Sequence, residues 1–424
     1  MDPWVILRRC GTAVLASALI LAANVAWAAE NEVTIMHYFT ADIGGAGLHP
    51  IFDKFKKETG ITVVDSPIGH EDYKTGILVR AAGNSLPDIF SEWAGARTQF
   101  VVDTGKLEPL DALWAAQKLD SVVAKPVAAS ATIYNGKRYL IPIGYHYAAV
   151  FYNAKVLKDA GVTTTPKTWD EFVSMCKTLK GKGVTPFALG TKNRWPGQFW
   201  FDYLLLRTAG PEYRAKLVAG KASYTDPEVK KAMALWKDIV DAGFFGENSN
   251  ADDWTDAADK VAKGQAAMTL MGTWITGYWT QNGLKAVEDY DFFDFPTVDP
   301  SVPRVAVGPV DGFVISAKGK NLEGAEKLAT LIISDVDLQI NWAKTQGALS
   351  PNVNVPTSAY TPVMERAKES VATAAAFNFN YDLANPPSVA DVGLNMFAKF
   401  MGGTNDINAL LEETQKEAAD AIKK

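Results

Sequence analysis

The 424-residue chain is poor in cysteine and histidine and carries no excess of positive charge. Of its two cysteines, Cys10 precedes an apolar N-terminal run, and Cys176 stands alone in "FVSMCKTL". Cys176 falls on the apolar face of a helical pattern, where a small core role is expected rather than that of a nucleophile. With one cysteine left after loss of the N-terminal segment, no intramolecular disulfide forms, so an oxidising compartment is permitted but not required. The net charge of −6 comes without a basic run, which argues against nucleic acid or an anionic membrane surface as partner. Beyond the N-terminus no apolar run is long enough to cross a bilayer, and no internal repeat or low-complexity tract is present. The chain also lacks a Gly-x-Ser-x-Gly elbow, a phosphate-binding Gly-x4-Gly-Lys loop and a His-Glu-x-x-His helix.

Hydrophobic residues make up 48% and charged residues 21% of the chain, the balance of a well-folded protein. Its length exceeds what one ordinary core holds, so two lobes are expected. The first residues stand apart. Arg8 and Arg9 precede the apolar run "TAVLASALILAANV", and Ala26-Trp27-Ala28 offers a small-x-small cleavage site. The pattern is that of an export signal over residues 1–28, cleaved after Ala28. Cleavage removes two arginines and one aspartate and takes the net charge from −6 to −7. A soluble, exported, periplasmic protein is expected.

The exported part opens as strand, helix, strand. "EVTIMHYF" reads as a strand. "PIFDKFKKETG" is a helix with Ile51, Phe52 and Phe55 on one face and Gly60 as its stop. "ITVV" starts the next strand, "YKTGILVRAAG" is a helix, and "PDIF" is a buried strand leading into "SEWAGA". Such alternation predicts a parallel, doubly wound sheet, whose ligands bind beyond the carboxyl ends of the strands. That rule points to His37, Tyr38 and Thr40 after the first strand, and to Glu92 and Trp93 after the third. Further on, Thr168 and Glu171 form a capping box. Asp226 and Pro227 start a helix with Val229, Met233, Trp236 and Val240 on its core face, ending at Gly243. "AAMTLMG" is a strand followed by a loop carrying Trp274. "GFVISAKG" is a strand, and "NLEGAEKLATLIISD" and "INALLEETQKEAADAIKK" are helices.

One stretch, "NGKRYLIPIGYHYAAVFYN", places Gly144-Tyr145-His146-Tyr147 between two strand-like runs with almost no loop. Together with "KDAG" and "PKTWDEF" it resembles the most recognisable segment of the extracellular solute-binding proteins of ABC importers, in the sugar-binding branch typified by maltose-binding protein. "LPDIF", "GQAAMTLMGTW", "DGFVISAKGKNLEGAEKLATLI" and "TQGALSPN" are similar to further landmarks of that family, in the same order. The resemblance implies an α/β, two-lobed periplasmic-binding-protein fold, each lobe a sheet flanked by helices, with a ligand cleft between them. It implies an N-terminal lobe of 30–144 plus 308–349 and a C-terminal lobe of 147–307 plus 350–424, with hinges near 144–147, 303–308 and 349–355. Gly144 would give the first hinge its backbone freedom. The implied partners are a small sugar, a permease with its ATPase, and no cofactor; a monomer is expected.

Sugar recognition needs carboxylates or amides for hydroxyls and flat aromatic rings for C–H faces. On the family's positions, Glu92 and Trp93 would contact ligand from the first lobe, and His146 would contact it or hold the hinge. Tyr145 or Tyr147, not both, would face the cleft. Trp195 and Trp274 match the family's aromatic platforms; Trp254, Asp311 and Arg194 complete the candidate site, with Phe379 and Tyr381 as closing groups. Alternatives remain. Arg194 or Arg304 would serve an acidic or sulfonated sugar; His37, Tyr38, Tyr145 and His146 would have to converge for a metal carrier. Glu92 and Asp311 would be the carboxylate pair of a glycosidase.

Overall fold

The computed structural model describes residues 31–423 apart from 248 and 405. The export signal with Cys10 lies outside the described residues. Nine strands build two sheets: β1 (Glu32–His37), β2 (Thr62–Pro67), β3 (Ile89–Trp93), β4 (Ile141–Tyr145), β5 (Ala148–Asn153), β6 (Thr185–Phe187), β7 (Ala266–Gly272), β8 (Tyr290–Phe293) and β9 (Val310–Ile315). The first sheet has the order β2-β1-β3-β9-β4 and the second β8-β5-β7-β6. β1 runs parallel to β2 and β3, as the alternation of strands and helices predicts. The sheet is nonetheless mixed, because β9 is antiparallel to both β3 and β4. The reason is topological. β9 returns from the other lobe, so it enters the sheet at the edge where β3 ends, and its Asp311 pairs with Trp93.

The helices follow their local signals. The helix Ala41–Thr59 closes at Gly60, whose φ of 76° lets its N–H return to the Lys56 carbonyl. Thr168 and Glu171 form the reciprocal capping box expected for the helix Trp169–Gly181. Asp226 stands at the cap of Pro227–Asp241 but makes no side-chain cap bond; its carboxylate instead takes the Ser223 N–H at 2.9 Å and the Tyr213 hydroxyl at 3.0 Å. Trp274, expected in a loop, opens the helix Trp274–Gln281, and Trp254 likewise opens Trp254–Ala262.

Each sheet is covered on both faces by apolar side chains. In the first lobe Val33, Ile35, Ile51 and Phe55 form one core, while Met36, Tyr73, Phe90 and Trp93 form another across the sheet. The second lobe is centred on Trp200, Trp236, Phe172 and Phe397, and Cys176 is fully buried there. Burying each such large side chain contributes about 1.5–3 kcal/mol.

Three chain crossings lie side by side between the sheets. β4 ends at Tyr145 and β5 begins at Ala148, so only His146 and Tyr147 separate them. The His146 N–H donates to Pro309 O at 3.0 Å, and Tyr145 and Leu349 exchange two backbone bonds of 2.9 and 2.8 Å. Gly144 is required by packing rather than by backbone freedom: its φ is not positive, and a Cβ there would lie 2.9 Å from Trp342 Nε1. After the third crossing, Pro351 and Val353 still bond Ala124 and Val122 of the first lobe. The chain then passes to the second, where the helices Pro387–Met401 and Ile407–Ile422 pack.

Candidate functional site

Beyond the ends of β1 and β3, between the lobes, lies a cavity of about 250 Å³. From the first lobe it receives Tyr38, Phe39, Thr40, Trp93 and Asp311, together with His70 and Lys74 from the helix His70–Ala82. Trp195, Phe199, Trp254 and Trp274 line it from the second lobe, and His146 reaches it from the first crossing. Strand geometry places these residues at the sheet edge, since the carboxyl ends of β1 and β3 and the first residues of β9 share that edge.

The aromatic rings form two groups. Tyr38 and Trp93 stack with centroids 3.8 Å apart and an interplanar angle of 13°. Across the cleft Trp195 and Trp274 meet edge to face at 5.9 Å. His70 bridges the groups, 5.2 Å from Trp93 and 6.0 Å from Trp195. The His146 ring stands edge-on to Trp274 at 5.3 Å.

The polar centre is Asp311. Tyr38 Oη donates to Asp311 Oδ1 at 2.6 Å, and His146 Nε2 lies 3.2 Å from Oδ2. His146 Nδ1 in turn meets Thr273 Oγ1 at 3.0 Å and Gly347 O at 3.2 Å. One imidazole thus touches β9, the strand-to-helix turn at Thr273 and the third crossing. Burial, followed by the Asp311 charge, raises the Tyr38 phenol well above its ordinary pKa, so it stays a donor. His70 is pushed below its ordinary value, first by burial and then by Lys74, against the opposing Glu71 bond.

The candidates divide accordingly. Tyr38, Thr40, Trp93, His146, Trp195, Trp254, Trp274 and Asp311 come together in the cavity; His37, Glu92, Tyr145 and Arg194 do not. Strand alternation turns His37 to the opposite face from Tyr38, where its Nε2 meets Asp65 at 2.7 Å. Alternation likewise turns Glu92 away from Trp93. Glu92 is fully buried, and its Oε2 takes the Trp93 N–H at 3.1 Å and lies 3.4 Å from Arg97 Nε. Neither tyrosine flanking His146 lines the cavity: Tyr145 packs edge-on against Phe377 at 6.2 Å, and Tyr147 donates to Asp294 at 2.9 Å. Arg194 holds Asp391 and Asn395 at 2.9 and 2.5 Å. Because His37 and Tyr145 face elsewhere, the four residues of the metal reading do not converge. Among the described residues no group of three or more His, Cys, Asp or Glu could hold a metal ion.

Sequence reading missed His70, Lys74, Gln198, Asn380, Asp382 and Leu383, all of which line the cavity. The last three come from the C-terminal segment, near the Phe379 and Tyr381 considered as closing groups. Leu383 O approaches Gly95, just beyond Trp93, so closely that a Cβ there would lie 2.4 Å from it.

Two lobes, adjacent chain crossings and a cavity lined from both sides define a bilobed binding protein whose cleft lies between its lobes. The chain belongs to the bacterial extracellular solute-binding proteins, whose family model matches residues 41–337. It is 29% identical over 340 residues to an ABC transporter extracellular-binding protein of Pyrococcus horikoshii, covering 79% of this chain and 75% of that one. It is 26% identical over 389 residues to a probable sugar-binding periplasmic protein of Mesorhizobium japonicum, covering 88% of this chain and 89% of that one. Among solved structures, a chitin oligosaccharide binding protein superposes with a TM-score of 0.85 at 25% identity, covering 93% of this chain and 99% of the other. The solute receptor AcbH, described as exclusive for β-D-galactopyranose, matches in fold with a TM-score of 0.85 at 23% identity, covering 93% and 99%. No helix among the described residues is long and apolar enough to cross a membrane.

Proposed function

We propose that this protein is the exported sugar-binding component of an ABC importer. It captures a mono- or short oligosaccharide between its lobes and delivers it to a membrane permease driven by an ATPase. The observation that carries this reading is the pairing of aromatic faces across a polar centre: Tyr38 on Trp93 from one lobe, Trp195 with Trp274 from the other, and Asp311 with His146 between them. A pyranose presents C–H faces to such rings and hydroxyls to such a carboxylate. The relative from Mesorhizobium named as sugar-binding, and the chitin oligosaccharide binding protein, support the same class.

Export with cleavage after Ala28, action in the periplasm as a monomer, and lobes divided near 144–147, 303–308 and 349–355 belong to the same proposal. A ligand touching both lobes favours the closed arrangement by its differential affinity. Binding without chemistry is favoured by Glu92, whose carboxylate turns to Arg97 behind Trp93 and makes no pair with Asp311 across the cavity.

A thermal-shift screen tests the proposal, because a ligand that binds only the folded state raises its melting temperature. Mono- and oligosaccharides are set against phosphorylated compounds, amino acids and metal ions. A rise with one group of saccharides is expected; a rise confined to non-sugars would overturn it.

A further inference from the structure

The C-terminal segment brings to the cleft a carboxylate that no strand end supplies. Asp382 lines the cavity, and its position is set from two sides. Its N–H donates to Gln198 Oε1 at 2.8 Å, and its Oδ1 accepts from Asn380 Nδ2 at 2.5 Å. The preceding residues are anchored in turn, since Arg214 Nη2 donates to Phe379 O at 2.7 Å and the Tyr381 N–H to Asp202 at 2.6 Å. Asn380 also lines the cavity and is 5% exposed, yet its Oδ1 has no hydrogen-bond partner. A buried acceptor without a donor costs about 1–3 kcal/mol. Its orientation is forced, because the neighbouring carboxylate claims the amide N–H. This corner of the cavity is therefore rich in acceptors and poor in donors.

The charge around the cavity points the same way. Asp311 and Asp382 line it against one cation, Lys74, whose ammonium already meets Glu71 at 3.2 and 3.4 Å. No arginine lines it among the described residues. Arg194 is committed to Asp391, Arg304 to Asp294 and Ser370 O, and Arg97 to Glu92 and Lys74 O. A carboxylate or sulfonate entering this cleft would lose water beside two like charges and find no guanidinium fork.

We propose that Asp382, positioned by Asn380 and Gln198, is a ligand-contacting residue that accepts hydrogen bonds from hydroxyl or ammonium groups. With Asp311 it makes the cleft select neutral or amino sugars and reject carboxylated and sulfonated ones. The inference rests on the saccharide reading above and adds to it the sign of the ligand's charge.

The test is calorimetric titration of the mature protein with matched sets: a neutral sugar that raises the melting temperature, its uronic acid and its 2-amino-2-deoxy analogue. The neutral or amino member is expected to bind at least about tenfold tighter than the uronic acid, a margin of about 1.4 kcal/mol. Asp382→Asn keeps the shape of the side chain and removes its charge. It is expected to weaken neutral-sugar binding and to narrow that ratio to about threefold or less, with the circular dichroism spectrum unchanged; Asp382→Ser serves as a second variant if the first folds poorly. A uronic acid that binds as tightly as its neutral parent would overturn the inference while leaving the saccharide reading intact, as would a ratio unmoved in both variants. If no member of any set binds, the saccharide reading itself fails and the inference goes with it.

Discussion

His146 Nε2 lies 3.2 Å from Asp311 Oδ2, so the first crossing between the lobes is tied to the strand that returns through the second. Asp311 is 4% exposed, and its other oxygen takes the Tyr38 hydroxyl. Removing the carboxylate strands two buried polar groups at once. Asp311→Ala is therefore expected to cost about 2–3 kcal/mol of stability, since each orphaned group carries its own desolvation penalty. Urea denaturation measures this loss. Tyr38→Phe, which leaves the His146 contact in place, is expected to cost less.

Trp274 opens the helix Trp274–Gln281 and lies against His146, Trp195 and Phe199. Trp274→Ala is expected to weaken saccharide binding at least about tenfold through loss of one stacking face, each aromatic contact being worth about 0.5–1.5 kcal/mol beyond its buried area. The protein should remain folded by circular dichroism. Unchanged affinity by calorimetry would remove Trp274 from the binding surface.

The same helix touches the third crossing through glycine. A Cβ at Gly277 would lie 2.5 Å from Thr345 O and 2.8 Å from Gly347 N. Gly277→Val forces the helix away from residues 345–347 and carries Trp274 with it. A stability loss of about 1–3 kcal/mol is expected from overpacking, together with weaker ligand binding than the destabilisation alone explains. Calorimetry well below the unfolding temperature separates the two effects.

His70 sets a pH dependence. Burial first, then Lys74, lowers its folded pKa below the ordinary histidine value of about 6.5, while Glu71 opposes the shift. The unfolded state then binds the proton more readily than the folded state as pH falls below that value. The stability gained from the neutral ring is fully present above about pH 6.5 and is lost as pH drops through the lower folded value. The side chain is 39% exposed, so screening keeps the effect small. His70→Gln is expected to show a shallower fall in melting temperature between pH 7 and pH 5 than the parent protein. Parallel curves would exclude His70 as the source.

Local signals in the sequence carried much of this organisation, because caps and strand ends are short-range features. Thr168 with Glu171, and Gly60 at its helix end, act through residues at most four apart. The rule that ligands bind beyond strand ends led to Tyr38, Thr40 and Trp93, and the family resemblance to Asp311. It did not say which neighbour faces the cleft, and His37 and Glu92 stand on the wrong face by one residue. Asn380 and Asp382 were not legible, because they reach the cavity only when the C-terminal segment packs back beside Trp93 and Leu383 meets Gly95. No local pattern encodes a contact between residues so far apart in the chain. The antiparallel direction of β9 was hidden for a related reason: it follows from the chain's return between lobes, not from the apolar pattern of the strand.

The most direct test of a saccharide site between the lobes is a crystal structure of the mature protein with the sugar that stabilises it most. The ring is expected between the Tyr38–Trp93 stack and the Trp195–Trp274 pair, with a hydroxyl within hydrogen-bond distance of Asp311 or Asp382. Sugar bound elsewhere on the protein, with this cavity holding none, would contradict it.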